Sequence, residues 1–169
     1  MKLTPEPITA ENFAPFGDLI EVGENPLLIN YGFTERHHDL ARLDLTEQGG
    51  RPLLSIFRSR PLPRPLRLNI MERHPLSSQA FMPLGDQPYL VVVAPAGPFD
   101  PQALRAFIAG PGQGVNYARG TWHHFCLALN APSDFLVIDR GGEGSNCDEV
   151  DLRVPVDIDL DAVMPEVGA

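Results

Sequence analysis

The sequence predicts a mainly β chain, an antiparallel β-barrel or sandwich with few short helices. Its 169 residues include 18 prolines and 15 glycines, which break the chain at short intervals. Between them lie short runs rich in Val, Ile, Leu and Phe, the pattern of many short antiparallel strands. Helix-start signals are scarce. Taken in order, Thr9 can cap a short turn through Phe13, which Pro15 and Gly17 stop. The segment 34–45 is polar and interrupted, and reads as a loop or short strand at a barrel mouth. Strands are expected at 53–57, 68–74, 80–83, 89–94, 104–109, 115–118, 122–129 and 135–140. Asp100-Pro101 places an N-cap residue before a proline, so one helical turn is expected there. The run Tyr89-Leu90-Val91-Val92-Val93-Ala94 is apolar on both faces and needs cover on each. One face can fill a barrel, and a second sheet or a second subunit can cover the other. The stretch 148–169 is acidic and proline-broken and is expected to pack outside or fray. Beyond Val154 it has no His, Arg or Lys, so it is expected to be dispensable for chemistry.

Composition narrows the function. A length of 169 residues and 43% hydrophobic content fit a single domain, 1–169, with a real core. The formal net charge of -9 disfavours nucleic acid or an anionic membrane surface as partner. Cys126 and Cys147 form no Cys-x-x-Cys pair, so neither a zinc ribbon nor a disulfide framework is expected. Residues 1–7 lack the apolar stretch of a signal peptide, and no apolar run approaches a membrane span. The expectation is a cytoplasmic protein. No Gly-x-Ser-x-Gly elbow and no phosphate-binding glycine loop is present.

The chemistry-bearing residues are Glu72-Arg73-His74, Gln79, and, much later, Gly120-Thr121-Trp122-His123. On a strand Glu72 and His74 point the same way. Gln79 follows a short connection, and His123 can return from a distant strand to the same pocket. Two imidazoles and two oxygen-bearing side chains then converge. Such a set can hold a divalent metal or move protons on a small polar substrate. With one neutral amide among the ligands, metal binding is expected to be weaker than at a three-His-plus-Glu site. A polar stripe on a half-buried strand would look the same for His74 alone, and Gln79 alone could simply close the connection. His124 must face away from His123 and is expected at an interface or the outer surface. Trp122 and Phe125 read as core. An anionic substrate calls for a guanidinium. Arg36, Arg58 and Arg119 are better placed than Arg73, and Arg36 and Arg119 stand with Gln79 as substrate-binding candidates.

The spacing resembles the two cupin motifs in degraded form. Glu72 stands for the first motif's first His, His74 for its second, Gln79 for its Glu and Gly85 for its last Gly, while His123 stands for the later His. Four segments also resemble the ureidoglycolate lyase family, nearly end to end. They are Glu35-Arg36-His37-His38-Asp39-Leu40-Ala41; Glu72-Arg73-His74-Pro75-Leu76 with Gln79-Ala80-Phe81; Leu104-Arg105-Ala106-Phe107-Ile108 with Gln113-Gly114-Val115-Asn116-Tyr117; and Trp122-His123-His124 with Asp134-Phe135-Leu136 and Ile138-Asp139-Arg140-Gly141-Gly142. His37 and Ala118 depart from the pattern, where Tyr and His are common. The resemblance implies a cupin-like barrel, a homodimer, nickel, and cleavage of (S)-ureidoglycolate to glyoxylate and urea. On this reading His74, His123 and Glu72 are catalytic, and the same three with Gln79 are the metal-ligand candidates. No organic cofactor is signalled. The competing readings are an amidohydrolase releasing ammonia and carbon dioxide, a non-catalytic small-acid-binding module, and a metal-dependent oxygenase.

Overall fold

Two antiparallel sheets face each other in a computed structural model that describes residues 1–162. The larger sheet runs Lys2–Leu3, Asp148–Ile158, Arg67–Arg73, Trp122–His123, Tyr89–Ala94, Arg105–Ala109, Glu6–Pro7, with Leu127–Ala128 also on Tyr89–Ala94. The smaller runs Gly17–Ile20, Gly114–Tyr117, Gln79–Pro83, Ser133–Gly141, Arg51–Ser59. Only the two terminal pairings of the larger sheet, Lys2–Leu3 and Glu6–Pro7, are parallel. This is the mainly β, largely antiparallel architecture with few short helices that the breaker spacing predicts.

Local signals act where they were read. Thr9 and Asn12 form a reciprocal cap at the start of the Ala10–Phe13 helix: Thr9 Oγ1 accepts from the Asn12 backbone and Asn12 Oδ1 from that of Thr9. Asp100 caps the single turn Pro101–Ala103. The expected strand 122–129 is split into Trp122–His123 and Leu127–Ala128. Within 34–45, Thr34–Arg36 is a strand that pairs with Leu27–Ile29, and the rest is irregular.

The core has two parts. Between the sheets, Phe13, Phe81, Phe107, Val115, Phe135 and the inward side of Tyr89–Ala94 (Tyr89, Val91, Val93) pack together. The other side of that strand, Leu90, Val92 and Ala94, is buried against Leu68, Met71, Trp122, Leu127, Leu152 and Val156. The second apolar face is thus covered by the chain itself and gives no argument for a second subunit. Uncovered apolar surface lies elsewhere. Tyr31 and Phe33, at the tip of the Leu27–Ile29/Thr34–Arg36 hairpin, are 102% and 92% exposed, and Leu28, Leu54 and Ile56 are also exposed.

The C-terminal stretch corrects its expectation. Asp148–Ile158 is an eleven-residue strand lying between Lys2–Leu3 and the site-bearing strand Arg67–Arg73. Its acidic residues alternate with Val150, Leu152, Val156 and Ile158, which turn inward. Pro155 is accommodated because the register shifts between Asp151 and Val156, where no ladder N–H is required. Val156, Ile158 and Leu160 are buried, so residues 155–160 contribute to the core. Residues 163–169 of the expected tail lie outside the described residues. Ending the chain at Val154 removes three buried aliphatic side chains, about 1.5–3 kcal/mol each against a net stability of about 5–15 kcal/mol. Thermal denaturation by circular dichroism should show the truncated chain melting far below the full chain or lacking a cooperative transition. A melting temperature within a few degrees of the parent would contradict this.

Candidate active site

The two sheets meet at one end around four side chains. His123 pairs with Glu72 across neighbouring strands of the larger sheet. His74 immediately follows the end of the strand that carries Glu72, and its ring centroid lies 5.0 Å from that of His123. Gln79 opens a strand of the smaller sheet and places Oε1 3.1 Å from His74 Nε2. Ligand atoms of Glu72, His74 and His123 all lie within 4.8 Å of one another. Tyr117, paired with Gln79 in the smaller sheet, stacks on His123 at 4.2 Å and 11°. Burial raises the Tyr117 phenol well above its ordinary pKa, so it stays neutral and serves as a flat wall.

The hydrogen bonds fix what each group presents. His123 Nδ1 donates to the Thr121 carbonyl at 3.0 Å, which leaves Nε2 with a lone pair. That Nε2 is buried and has no hydrogen-bond partner among the described residues. It lies 3.5 Å from Glu72 Oε1, a long approach. A proton on the His123 ring that faces it lowers the Glu72 carboxyl below its ordinary pKa, against the opposing effect of burial. Glu72 is therefore ionised near neutral pH. His74 Nδ1 donates to the Asn146 carbonyl at 2.6 Å, so its Nε2 lone pair faces Gln79 Oε1. Two acceptors oppose each other there. Turning the amide moves the conflict, because Gln79 Nε2 now faces Asp139 Oδ2 at 3.5 Å. A proton on His74 Nε2, or a cation among these atoms, removes it. Two imidazole lone pairs, one of them orphaned in a buried position, with an ionised carboxylate and an amide oxygen, suit a divalent metal in type and number. A second convergence, Glu72 with Cys147 and Glu149, suits one less well. Cys147 and Glu149 are exposed, and burial and the nearby carboxylates push the Cys147 thiol up, away from the thiolate a metal needs.

Of the quartet, His74 and Gln79 line a cavity of about 330 Å³, together with Asp139, Arg140, Asn146 and Cys147, among others. Asn146 positions this wall as well as His74: its side chain accepts from Leu76 N at 2.7 Å and donates to Ser77 Oγ at 2.8 Å.

A family model described as ureidoglycolate lyase matches residues 1–159. The chain belongs to the ureidoglycolate lyase family. Relatives named ureidoglycolate lyase include one from Burkholderia mallei, 51% identical over 168 residues and covering 99% of this chain and 98% of the relative. Another, from Burkholderia cepacia, is 55% identical over 153 residues, 89% of this chain and 86% of the relative. The chain also aligns with a solved structure of Bacillus subtilis oxalate decarboxylase, at a TM-score of 0.39 and 15% identity over 78% of this chain and 35% of that one.

In this member of the ureidoglycolate lyase family the candidate arginines lie differently from the site quartet. Arg119 is held by Asp44 at 2.7 Å and Glu47 at 3.1 Å, so its guanidinium is already committed. Arg36 is exposed on the Leu27–Ile29/Thr34–Arg36 hairpin. Arg58 pairs with Asp134. Arg73 points away from the quartet, bound to Asp148 and lying over the Trp122 ring. His124 is buried, which corrects the expectation of a surface or interface position, and burial lowers its pKa so that it stays neutral. Phe125, read as core, is 44% exposed beside it. Sequence reasoning did not single out Asp139, Arg140, Asn146 or Tyr117 as site residues. Asp139, Arg140 and Tyr117 lie in the segments that carry the family resemblance, and Asn146 lies outside them.

The geometry fixes both tautomers. Long-range proton–nitrogen NMR of the metal-free chain at neutral pH should show His123 protonated at Nδ1. An Nε2–H tautomer for His123 would contradict the orientation described here.

Proposed function

We propose that this chain is a ureidoglycolate lyase, cleaving (S)-ureidoglycolate to glyoxylate and urea. The observation that carries the chemistry is the buried, unpartnered Nε2 of His123 facing ionised Glu72 beside His74. Membership of the family supplies the substrate. Ureidoglycolate carries a hydroxyl, a carboxylate and a urea nitrogen on one carbon. Taking the hydroxyl proton lets that carbon become the aldehyde, with its C–N bond breaking and the bonding pair leaving with the urea nitrogen. That nitrogen must gain a proton. His123 Nε2 has the free lone pair to accept the first proton, and Glu72 stabilises the imidazolium that results. His74, which lines the cavity, carries a proton to the leaving nitrogen when its Nε2 holds the proton that removes the conflict with Gln79 Oε1. Tyr117 and the Thr121 carbonyl hold the His123 ring in one orientation throughout.

His74, His123, Glu72 and Gln79 also form the set that would hold a divalent metal, with nickel as the family reading. Bound there, a metal would supply Lewis acidity, making the substrate hydroxyl easier to deprotonate. A proton and a metal compete for the same imidazole lone pairs. The soluble, cytoplasmic setting is part of the same proposal; among the described residues no helix is long and apolar enough to cross a membrane.

We also propose a homodimer in which a second copy covers the exposed hairpin and the Arg51–Ser59 edge. Tyr31 and Phe33 alone expose about 400 Å², and with Leu27, Leu28, Leu54 and Ile56 the uncovered surface reaches roughly the 800 Å² per partner of a standard interface. Sedimentation at micromolar concentration should give twice the 18.5 kDa chain mass, and Tyr31→Ser with Phe33→Ser should shift it toward the monomer. A wild-type chain that sediments only at 18.5 kDa would remove this part of the proposal.

Steady-state urea release tests the catalytic assignment. General acid–base groups contribute about 100- to 10,000-fold, so His74→Ala and His123→Ala should each lower kcat by at least about 100-fold with little change in melting temperature. His124→Ala should act chiefly on stability. Turnover abolished by His124→Ala in a folded chain but retained in His123→Ala would place the chemistry on the wrong imidazole. In the same assay, chelation should lower the wild-type rate and added nickel should restore it.

A further inference from the structure

We infer that Arg140 is the group that holds the substrate's carboxylate, an inference that rests on the ureidoglycolate reading above. An anionic substrate needs a cation at its cavity, and Arg140 lines the same cavity as His74 and Gln79. Among the described residues it is the one buried arginine, at 8% exposure. Burying a guanidinium without a counter-charge is costly, and buried charges are ordinarily paired. Arg58, Arg73 and Arg119 each have a carboxylate partner. Arg140 pairs with none among the described residues. Its hydrogen bonds run to neutral backbone oxygens only: Nε and Nη2 donate to the Glu47 carbonyl at 3.0 and 2.9 Å, and Nη2 also donates to the carbonyls of Gln48 and Glu143 at 3.4 and 3.0 Å. Nη1 makes no hydrogen bond among the described residues. The fork is therefore fixed in place along one edge while its positive charge is left uncompensated, the state of a guanidinium prepared for an incoming carboxylate.

The surroundings are shaped for that fixed position. A Cβ on Gly50 would come within 2.3 Å of Arg140 Nε, so the bare glycine is what lets the side chain lie along the turn. Asp139, the preceding residue, also lines the cavity and keeps a buried, unpartnered Oδ1. A ligand with a carboxylate at one end and N–H donors at the other is thereby oriented, its anionic end toward Arg140 and its ureido end toward Asp139.

The two halves of the substrate separate this role from a purely structural one. Glycolate carries the hydroxyl and carboxylate; N-(hydroxymethyl)urea carries the hydroxyl and ureido group without charge. Their dissociation constants can be read by NMR titration of the wild type, Arg140→Lys and Arg140→Gln. A lost charge-assisted hydrogen bond corresponds to about a 10- to 100-fold change. Both variants should bind glycolate weaker by that factor, while N-(hydroxymethyl)urea binding stays within about twofold, well under that change. KM for ureidoglycolate should rise with the glycolate constant while kcat falls less. Unchanged glycolate binding, or equal loss for both probes, would overturn the inference. If neither variant folds, the wild type decides: glycolate should bind at least about tenfold tighter than its uncharged amide, and equal binding overturns the inference. Absence of glyoxylate from wild type and ureidoglycolate would sink the lyase reading instead, and the glycolate titration does not depend on that assay.

Discussion

The pairing of His123 with Glu72 across adjacent strands is the constraint on which the rest of this site depends. Trp122–His123 is only two residues long, yet it sits between Arg67–Arg73 and Tyr89–Ala94 in the larger sheet. Because side chains alternate along a strand, a one-residue slip would turn His123 away from Glu72 and His124 toward it. Two features prevent that slip. Trp122 is anchored on the other face by its Nε1 bond to the Gly97 carbonyl, and the His124 backbone N–H is bonded to the Val92 carbonyl. The register therefore determines which imidazole meets Glu72. It also leaves that imidazole with a lone pair and no partner of its own.

A polar cluster of this kind is tolerated because the barrel around it is well filled. Phe13, Phe107 and Phe135 are fully buried between the sheets, and Tyr117 joins this core to the site by stacking on His123. On the far side, the C-terminal strand Asp148–Ile158 pairs with the strand that carries Glu72 and brings Asn146 to the cavity wall. The segment that looked peripheral thus supports the site twice: it backs Glu72 through the sheet, and the turn leading into it orients His74.

Much of this was legible in the sequence, for identifiable reasons. The period-2 relation of Glu72 to His74 and the breaker spacing are local, so the strands are legible directly, whereas the convergence of Glu72, His74 and Gln79 with His123 is legible through spacing that resembles the cupin motifs. Thr9 and Asp100 were legible for the same reason, since caps act over three residues. What was not legible depends on long-range register. Asp139 and Arg140 enter the cavity because Ser133–Gly141 pairs along both Gln79–Pro83 and Arg51–Ser59, which no local pattern announces. The partners of the arginines are also long-range, as Arg119 with Asp44 and Glu47 shows. The C-terminal strand was misjudged because acidity and Pro155 outweighed an alternation of Val150, Leu152, Val156 and Ile158 that was present all along.

The claim at the centre of this account is that the cavity moves one proton off a hydroxyl and one onto a nitrogen, and brings no water into the reaction. Product analysis tests it most directly. The purified chain is incubated with (S)-ureidoglycolate, and glyoxylate, urea and ammonia are followed together by NMR and enzymatic assay. The account predicts glyoxylate and urea in equal amounts, matching the substrate consumed, with no ammonia above the uncatalysed background. Ammonia and carbon dioxide formed in place of urea would contradict it, because those products require hydrolysis of the ureido group.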